Sequence, residues 1–274
     1  MRSLPVFQVD AFTNRLYQGN AAAVLPLPAG VSLSDALMLQ IAQENNLSET
    51  AYLSELSPGV YQIRWFSPIC EVDFCGHATL AAALVLFQQT GLAQLRFKTL
   101  KVGELVVRQQ DDWLLMDFPR REPVVTAAPA ALLQAFAKAP VAVLQSPQAW
   151  FVVYDHAADV LAAQPDLALL KTLGPYDVVV TAPGQGFADG NSAQQYDFIS
   201  RYFWPANGGA EDPVTGSIHA GLTPYWAARL GKTELLAYQA SQRGGVLRCQ
   251  LQGERVQVAG QGVLYLQGTI MLPD

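Results

Sequence analysis

Hydrophobic and polar residues alternate along three short stretches of this chain: Val6-Phe7-Gln8-Val9-Asp10, Tyr61-Gln62-Ile63-Arg64-Trp65-Phe66 and Trp113-Leu114-Leu115-Met116-Asp117-Phe118. Alternation with a period of two puts one face of an extended segment in a core and the other in water, so these are expected as half-buried strands. Two helical stretches interrupt them. The first runs from about Ser34, a plausible N-cap, through Leu37, Ile41 and Ala42 to a stop at Asn45-Asn46. The second begins at His77, is apolar on nearly every side through Leu80, Leu84, Val85, Leu86 and Phe87, and ends at Gly91. A helix that is apolar all round must be buried all round.

The chain repeats itself. Arg64-Trp65-Phe66-Ser67-Pro68 recurs 137 residues later as Arg201-Tyr202-Phe203-Trp204-Pro205. Glu71-Val72-Asp73-Phe74-Cys75-Gly76-His77 is echoed 140 residues on by Glu211-Asp212-Pro213-Val214-Thr215-Gly216-Ser217. Gly103-Glu104-Leu105 and Asp112-Trp113-Leu114 return as Gly245-Val246-Leu247 and Glu254-Arg255-Val256, both at an offset of 142. Four short matches in one order, with a slowly growing offset, point to a duplication. The counterpart of the buried helix, Ser217 to Leu230 before Gly231, carries Pro224, which should kink it or mark a late start. A strand-rich half with one buried helix implies a sheet curled around that helix, so the fold expected is α+β in two copies. The boundary is placed near residue 120, giving halves of 1–120 and 121–274, with the proline-punctuated stretch from Pro119 to Pro147 as connector.

Composition narrows the function. With 274 residues, 51% of them hydrophobic, the chain can bury one large core or two ordinary ones. A net charge of -6 and no basic run oppose binding to a phosphate backbone, so nucleic acid is not an expected partner. No stretch approaches the roughly 18 apolar residues of a membrane span, and the first residues run into alternation instead of a signal-peptide core. No membrane association and a cytoplasmic location are the expectation. Three cysteines without a CxxC pair fit a reducing compartment. Cys75, His77 and His219 lack the spacing of a zinc motif, so no metal is expected.

Gly76-His77 and Gly216-Ser217 each stand where a helix should begin. Backbone N–H groups there lack intrahelical acceptors and the dipole favours an anion. If a pseudo-twofold relates the halves, both turns meet at one site, and a substrate carboxylate is the natural guest. Read singly, Ser217 and Thr215 could be helix caps and His77 a packing residue. Their company weighs the other way: Glu71 and Glu211 at matching positions, Asp212 beside the second turn, and Gly208-Gly209 allowing close backbone approach. Glu49, within Asn45-Asn46-Leu47-Ser48-Glu49-Thr50, lies at a helix-to-strand junction.

The series Val9-Asp10-Ala11-Phe12, Gly19-Asn20, Leu47-Ser48-Glu49-Thr50, Cys75-Gly76-His77 and Glu211-Asp212-Pro213-Val214-Thr215-Gly216-Ser217 resembles the PhzF-like family, the phenazine-biosynthesis isomerases and their relatives, from Val6 to Gly268. The resemblance implies a diaminopimelate-epimerase-like fold, a homodimer, no cofactor and a small carboxylated metabolite as substrate. It implies that Glu49 is the acid/base, with His77 and Asp212 assisting, and that Asn20, Ser48, Gly76, Gly216 and Ser217 surround the substrate. Related epimerases of the fold carry Cys in both turns; here the pair is Cys75 and Thr215. Thr215, with no depressed pKa, is a poor second base, so a cofactor-independent proton shift by Glu49 ranks above Cys75-dependent epimerisation or racemisation. Cys75 remains a candidate reactive thiol. A metabolite-binding protein without catalysis is the third reading.

Overall fold

The structure, a computed structural model, describes residues 2–190 and 194–273. Two compact units divide the chain: residues 1–117 with 259–274, and residues 118–258.

The first unit opens with strands β1 (Arg2–Ala11) and β2 (Asn20–Leu27), helix α1 (Asp35–Asn45), and strands β3 (Glu49–Ser57), β4 (Val60–Phe66) and β5 (Glu71–Val72). Helix α2 (Gly76–Thr90) follows, then β6 (Gln94–Lys98), β7 (Glu104–Gln110) and β8 (Trp113–Pro119). The second unit holds β9 (Val124–Val125), α3 (Ala130–Gln134), β10 (Ala142–Gln145), β11 (Ala149–Val153), α4 (Ala157–Leu161), α5 (Leu167–Lys171), β12 (Asp177–Pro183), β13 (Phe198–Phe203) and β14 (Glu211–Asp212). Helix α6 (His219–Leu230), β15 (Glu234–Gln239), β16 (Gly245–Gln252) and β17 (Arg255–Gly260) complete that run, and β18 (Gly262–Leu272) ends the chain.

Pairing directions repeat between the units. In the first, β18–β1 and β1–β2 are antiparallel, β2–β3 parallel, β3–β4 antiparallel, β4–β6 parallel and β6–β7 antiparallel. In the second, β9–β10 and β10–β11 are antiparallel, β11–β12 parallel, β12–β13 antiparallel, β13–β15 parallel and β15–β16 antiparallel. The short β5 and β14 pair with β4 and β13 at the same point. Even the side-chain furniture is duplicated. Arg64 makes a two-pronged ion pair with Glu71 (2.7 and 2.7 Å) and lies over Phe66; Arg201 does the same with Glu211 (2.8 and 2.9 Å) and Phe203. Glu71 and Glu211 are therefore structural residues, each taken up by its arginine. The arginines differ in reach, since Arg201 Nη1 also donates to the carbonyls of Val160, Leu161 and Ala163. Arg201→Met is expected to cost about 3 kcal/mol by urea denaturation, and Arg64→Met less, because charge-assisted bonds to less exposed partners are lost at Arg201.

Helix α2 packs against β1, β2, β3, β7 and β18, so the sheet of the first unit wraps it, as its uniform apolarity requires. The opposite face of that sheet carries α1, where Met38, Ile41 and Ala42 pack with Leu4, Leu25, Tyr52 and Phe66. Covered on both faces, β2 loses the alternation that marks a half-buried strand. Ser34 caps α1 by accepting from Leu37 N, and Asn46 ends it in the left-handed region, as expected. In the second unit α6 packs on β15 and β16, while Leu132, Phe136, Val160 and Leu170 of the short helices and their flanks build a separate core with Val152, Val178 and Ile199.

Two expectations change. The stretch from Pro119 to Pro147 is no connector: β9, α3 and β10 within it belong to the sheet and core of the second unit. The sequence placed all of 121–274 in one half, yet residues 259–274 belong to the first unit, because β18 pairs with β1 from Arg2↔Leu272 to Ala11↔Gly262. The repeat does not reveal this, because both halves do the same thing. The strand trailing each half's last hairpin, β9 or β18, pairs with the opening strand of the other half.

Candidate active site

Strands β2 and β3 run parallel with Ala22 opposite Glu49, and Asn20 opens β2 two residues before Ala22. Helix α2 contacts both strands and starts at Cys75-Gly76-His77. This brings together six of the expected residues, Asn20, Ser48, Glu49, Cys75, Gly76 and His77. His77 Nε2 stands 3.0 Å from Glu49 Oε2, with their side chains 7% and 10% exposed. Asn20 Nδ2 lies 3.2 Å from His77 Nδ1, and Ser48 Oγ donates to Asn20 Oδ1 at 3.2 Å. Cys75 Sγ is 3.5 Å from His77 Nδ1. A polar relay of this kind, buried and linked end to end, is costly unless its members are mutually satisfied. The Glu49–His77 contact has ion-pair distance but not the alignment of a hydrogen bond, which leaves Oε2 as a buried acceptor with capacity for a further donor.

The electrostatics favour a charged His77. Burial works against the imidazolium, but the Glu49 carboxylate and the hydrogen-bonding contact to Cys75 outweigh it and hold the pKa well above the ordinary histidine value. Asn20 Nδ2 facing Nδ1 suits a neutral Nε2–H ring, whereas the charged ring, with a proton on Nδ1, is met by the amide turned to present Oδ1. Asn20 is thus matched to either state of the ring. Cys75 goes the other way: burial, then the Glu49 charge, push its thiol up to about 11. Alkylation of Cys75 by iodoacetamide, followed by mass spectrometry of the folded protein, is therefore expected to be slow at pH 7 and to accelerate toward pH 11, with exposed Cys70 modified first.

Glu49, Cys75 and His77 offer three ligand-type atoms within 4.8 Å of one another. Cys75 Sγ lies 3.5 Å from Nδ1 and 4.0 Å from Nε2 of His77, and Glu49 Oε2 meets Nε2.

The second unit holds the other expected residues. Thr215 donates its hydroxyl to Asp212 Oδ2, while Gln239 accepts from Thr215 N (2.9 Å) and donates to the Asp212 carbonyl (2.9 Å). The Thr215 proton is thereby committed within the chain. Ser217 does not cap α6, which starts at His219 after a tight turn; its Oγ instead accepts from Gln148 Nε2 at 2.9 Å. His219 occupies the place of Thr79, each bonding back to the carbonyl four residues earlier, Thr215 at 3.0 Å and Cys75 at 2.6 Å. Burial lowers His219 to about 4, so it is a neutral structural residue. Gly208-Gly209 serves packing, since a Cβ on Gly209 would sit 2.6 Å from the Trp204 ring. Gln148, Gln239, Tyr202 and Asp177 were missed by sequence reasoning; only the pairing of distant strands brings them to the turn.

The same α+β architecture occurs in a hydroxyproline epimerase from Agrobacterium vitis, with a TM-score of 0.60 at 12% identity, covering 100% of this chain and 94% of that one. The fold class is thus that of the epimerase and racemase scaffolds. Within it the relationship is narrower. The model of the phenazine biosynthesis-like protein family matches residues 9–268, and the chain belongs to that family. It is 48% identical to an uncharacterized isomerase of Pseudomonas aeruginosa over 98% of this chain and 99% of the relative. A crystal structure of a PhzF family protein from Enterococcus faecalis superposes with a TM-score of 0.91 at 38% identity, covering 99% of this chain and 100% of that one.

Proposed function

We propose that this protein is a cofactor-independent isomerase that moves a proton within a small, carboxylate-bearing metabolite. The observation that carries this reading is the buried Glu49–His77 pair, in which Glu49 Oε2 stands 3.0 Å from His77 Nε2 yet keeps acceptor capacity for a further donor. In the proposed reaction the Glu49 carboxylate takes a proton from a carbon flanking a conjugated or carboxylated centre. The resulting electron pair delocalises, and the protonated Glu49 returns the proton to another carbon of the same system. His77, held charged, offsets the negative charge that develops. In the second unit Asp212 is proposed to assist proton transfer, and Ser217 with the Gly216 turn to grip a carboxylate. Membership of a family with relatives named as isomerases supports the reading.

The test is a metabolite panel turned over in deuterium oxide and followed by proton NMR. Solvent deuterium should appear at the new C–H position in the wild type; binding of several metabolites without product or exchange would favour the non-catalytic reading. Cys75-dependent epimerisation is a second reading, favoured by the 3.5 Å contact of Cys75 Sγ with His77. The raised thiol pKa and the commitment of the Thr215 hydroxyl to Asp212 weigh against it. Cys75→Ser is therefore expected to keep turnover within about threefold of wild type, since serine preserves the shape and removes only the thiol; loss of all turnover would reverse the ranking.

A further inference from the structure

The duplication supplies a counterpart for the proposed base. Phe66 and Phe203 correspond in the repeat; Phe66 pairs with Thr50, and Phe203 with Val178. The residues just before, Glu49 and Asp177, therefore occupy equivalent positions, each the first of its strand. Likewise Ser217 stands where His77 does, and Gln148, the residue before β11, bonds Ser217 much as Asn20, the first of β2, bonds His77, one position apart in the strand register. Unlike Glu49, Asp177 is fully engaged. Tyr202 donates to its Oδ2 at 2.6 Å and Asn207 Nδ2 to its Oδ1 at 2.7 Å.

These bonds have a fixed direction. Two donors on Asp177 are what a carboxylate accepts, so the Tyr202 proton points at Asp177 and the Tyr202 oxygen is left to accept. It accepts from Gln148 Nε2 at 3.0 Å, which orients the amide, and the other N–H of the same group goes to Ser217 Oγ. Ser217 Oγ is then an acceptor toward its own protein. Its hydrogen finds no acceptor among the described residues, and neither do the backbone N–H groups of Gly216 and Ser217.

We propose that Asp177, Tyr202 and Gln148 are positioning residues that hold Ser217 as a hydrogen-bond donor, making the Gly216-Ser217 turn select an anionic carboxylate over a neutral carbonyl group. The inference rests on the reading of Ser217 as a carboxylate-binding residue given above. The second copy of the acid/base arrangement has thus exchanged proton transfer for recognition. Were Asp177 replaced by asparagine, Asn207 would still demand an acceptor, so the new amide N–H₂ would face Tyr202. The chain would then reverse, with Gln148 offering its carbonyl and capturing the Ser217 hydroxyl.

The probes are benzoate and benzamide, titrated against the full chain by ligand-observed NMR. The wild type should prefer benzoate by about tenfold, the scale of one hydrogen bond to a charged group. Ser217→Ala and Asp177→Asn should each lose that preference with little change in benzamide binding, and the double variant should lose no more than either single one. That non-additivity is not expected of a purely structural role for Asp177. If Asp177→Asn fails to fold, Gln148→Leu replaces it with the same expected loss. The Gln148 side-chain amide resonances should also shift in Asp177→Asn without any ligand. Retained benzoate preference in Asp177→Asn or Gln148→Leu, alongside its loss in Ser217→Ala, overturns this inference alone. Retention in Ser217→Ala, or no benzoate binding by the wild type, overturns the carboxylate-site reading beneath it.

Discussion

Glu49→Gln is expected to lower solvent deuterium exchange into a turned-over substrate by about 10²–10⁴-fold, the contribution of a positioned general base. Glutamine keeps the shape of the side chain and cannot take a proton, so substrate binding should fall far less than turnover. Exchange at the wild-type rate would end the assignment of Glu49 as base. The substitution also reports on the pair. With Glu49 present, the pKa of His77 in the folded protein lies above its ordinary value of 6.5. The stability from a charged His77 is then fully present below that value and is lost as pH rises through the raised one. Removing Glu49 removes much of that contribution. The melting temperatures of wild type and Glu49→Gln should differ most below pH 6.5 and converge as pH climbs past the folded-state value.

Gly19→Ala should destabilise the protein by about 2–4 kcal/mol and disable the site with it. Gly19 has φ +66°, and a Cβ there would lie 2.1 Å from the Ala11 carbonyl oxygen and 2.8 Å from Thr13 Cγ2. The obstacle is backbone, which cannot swing aside as a flexible side chain does. The neighbouring residue is Asn20, so any shift pulls its amide from Ser48 and His77. Gly30→Ala is the control: φ is +76° but nothing lies within 4 Å, so only the conformational strain, about 1–2 kcal/mol, should appear. Equal shifts of the two urea midpoints would show that the clash at Gly19 costs nothing.

The fold was legible where chemistry is local or repeated. The uniformly apolar α2, the Ser34 cap and the Asn46 stop follow from side-chain type and spacing alone, and the duplicated Arg-aromatic-Phe segment carried the two-copy architecture. Glu49, His77, Asn20, Ser48 and Cys75 were read from linear motifs, and they come together. What the sequence concealed depends on pairing between distant segments. Glu71 and Glu211 look like site carboxylates until their arginines are seen on the neighbouring strand. The sequence leaves His219 without a role until its burial and its bond to Thr215 are known. Gln148 has no local motif at all, because only strand order brings it to a helix start 69 residues away.

The pairing of β18 with β1 bears on how this chain is made. Synthesis proceeds from the N-terminus, so most of the first unit emerges from the ribosome early but lacks its 11-residue β18 until the whole second unit has been polymerised. Until then β1 presents an open edge, a template for pairing with other chains. The second unit has no such delay, for β9 precedes everything it joins. The unit carrying Glu49 and His77 is thus closed only after the second unit has been made, although most of its own residues come first.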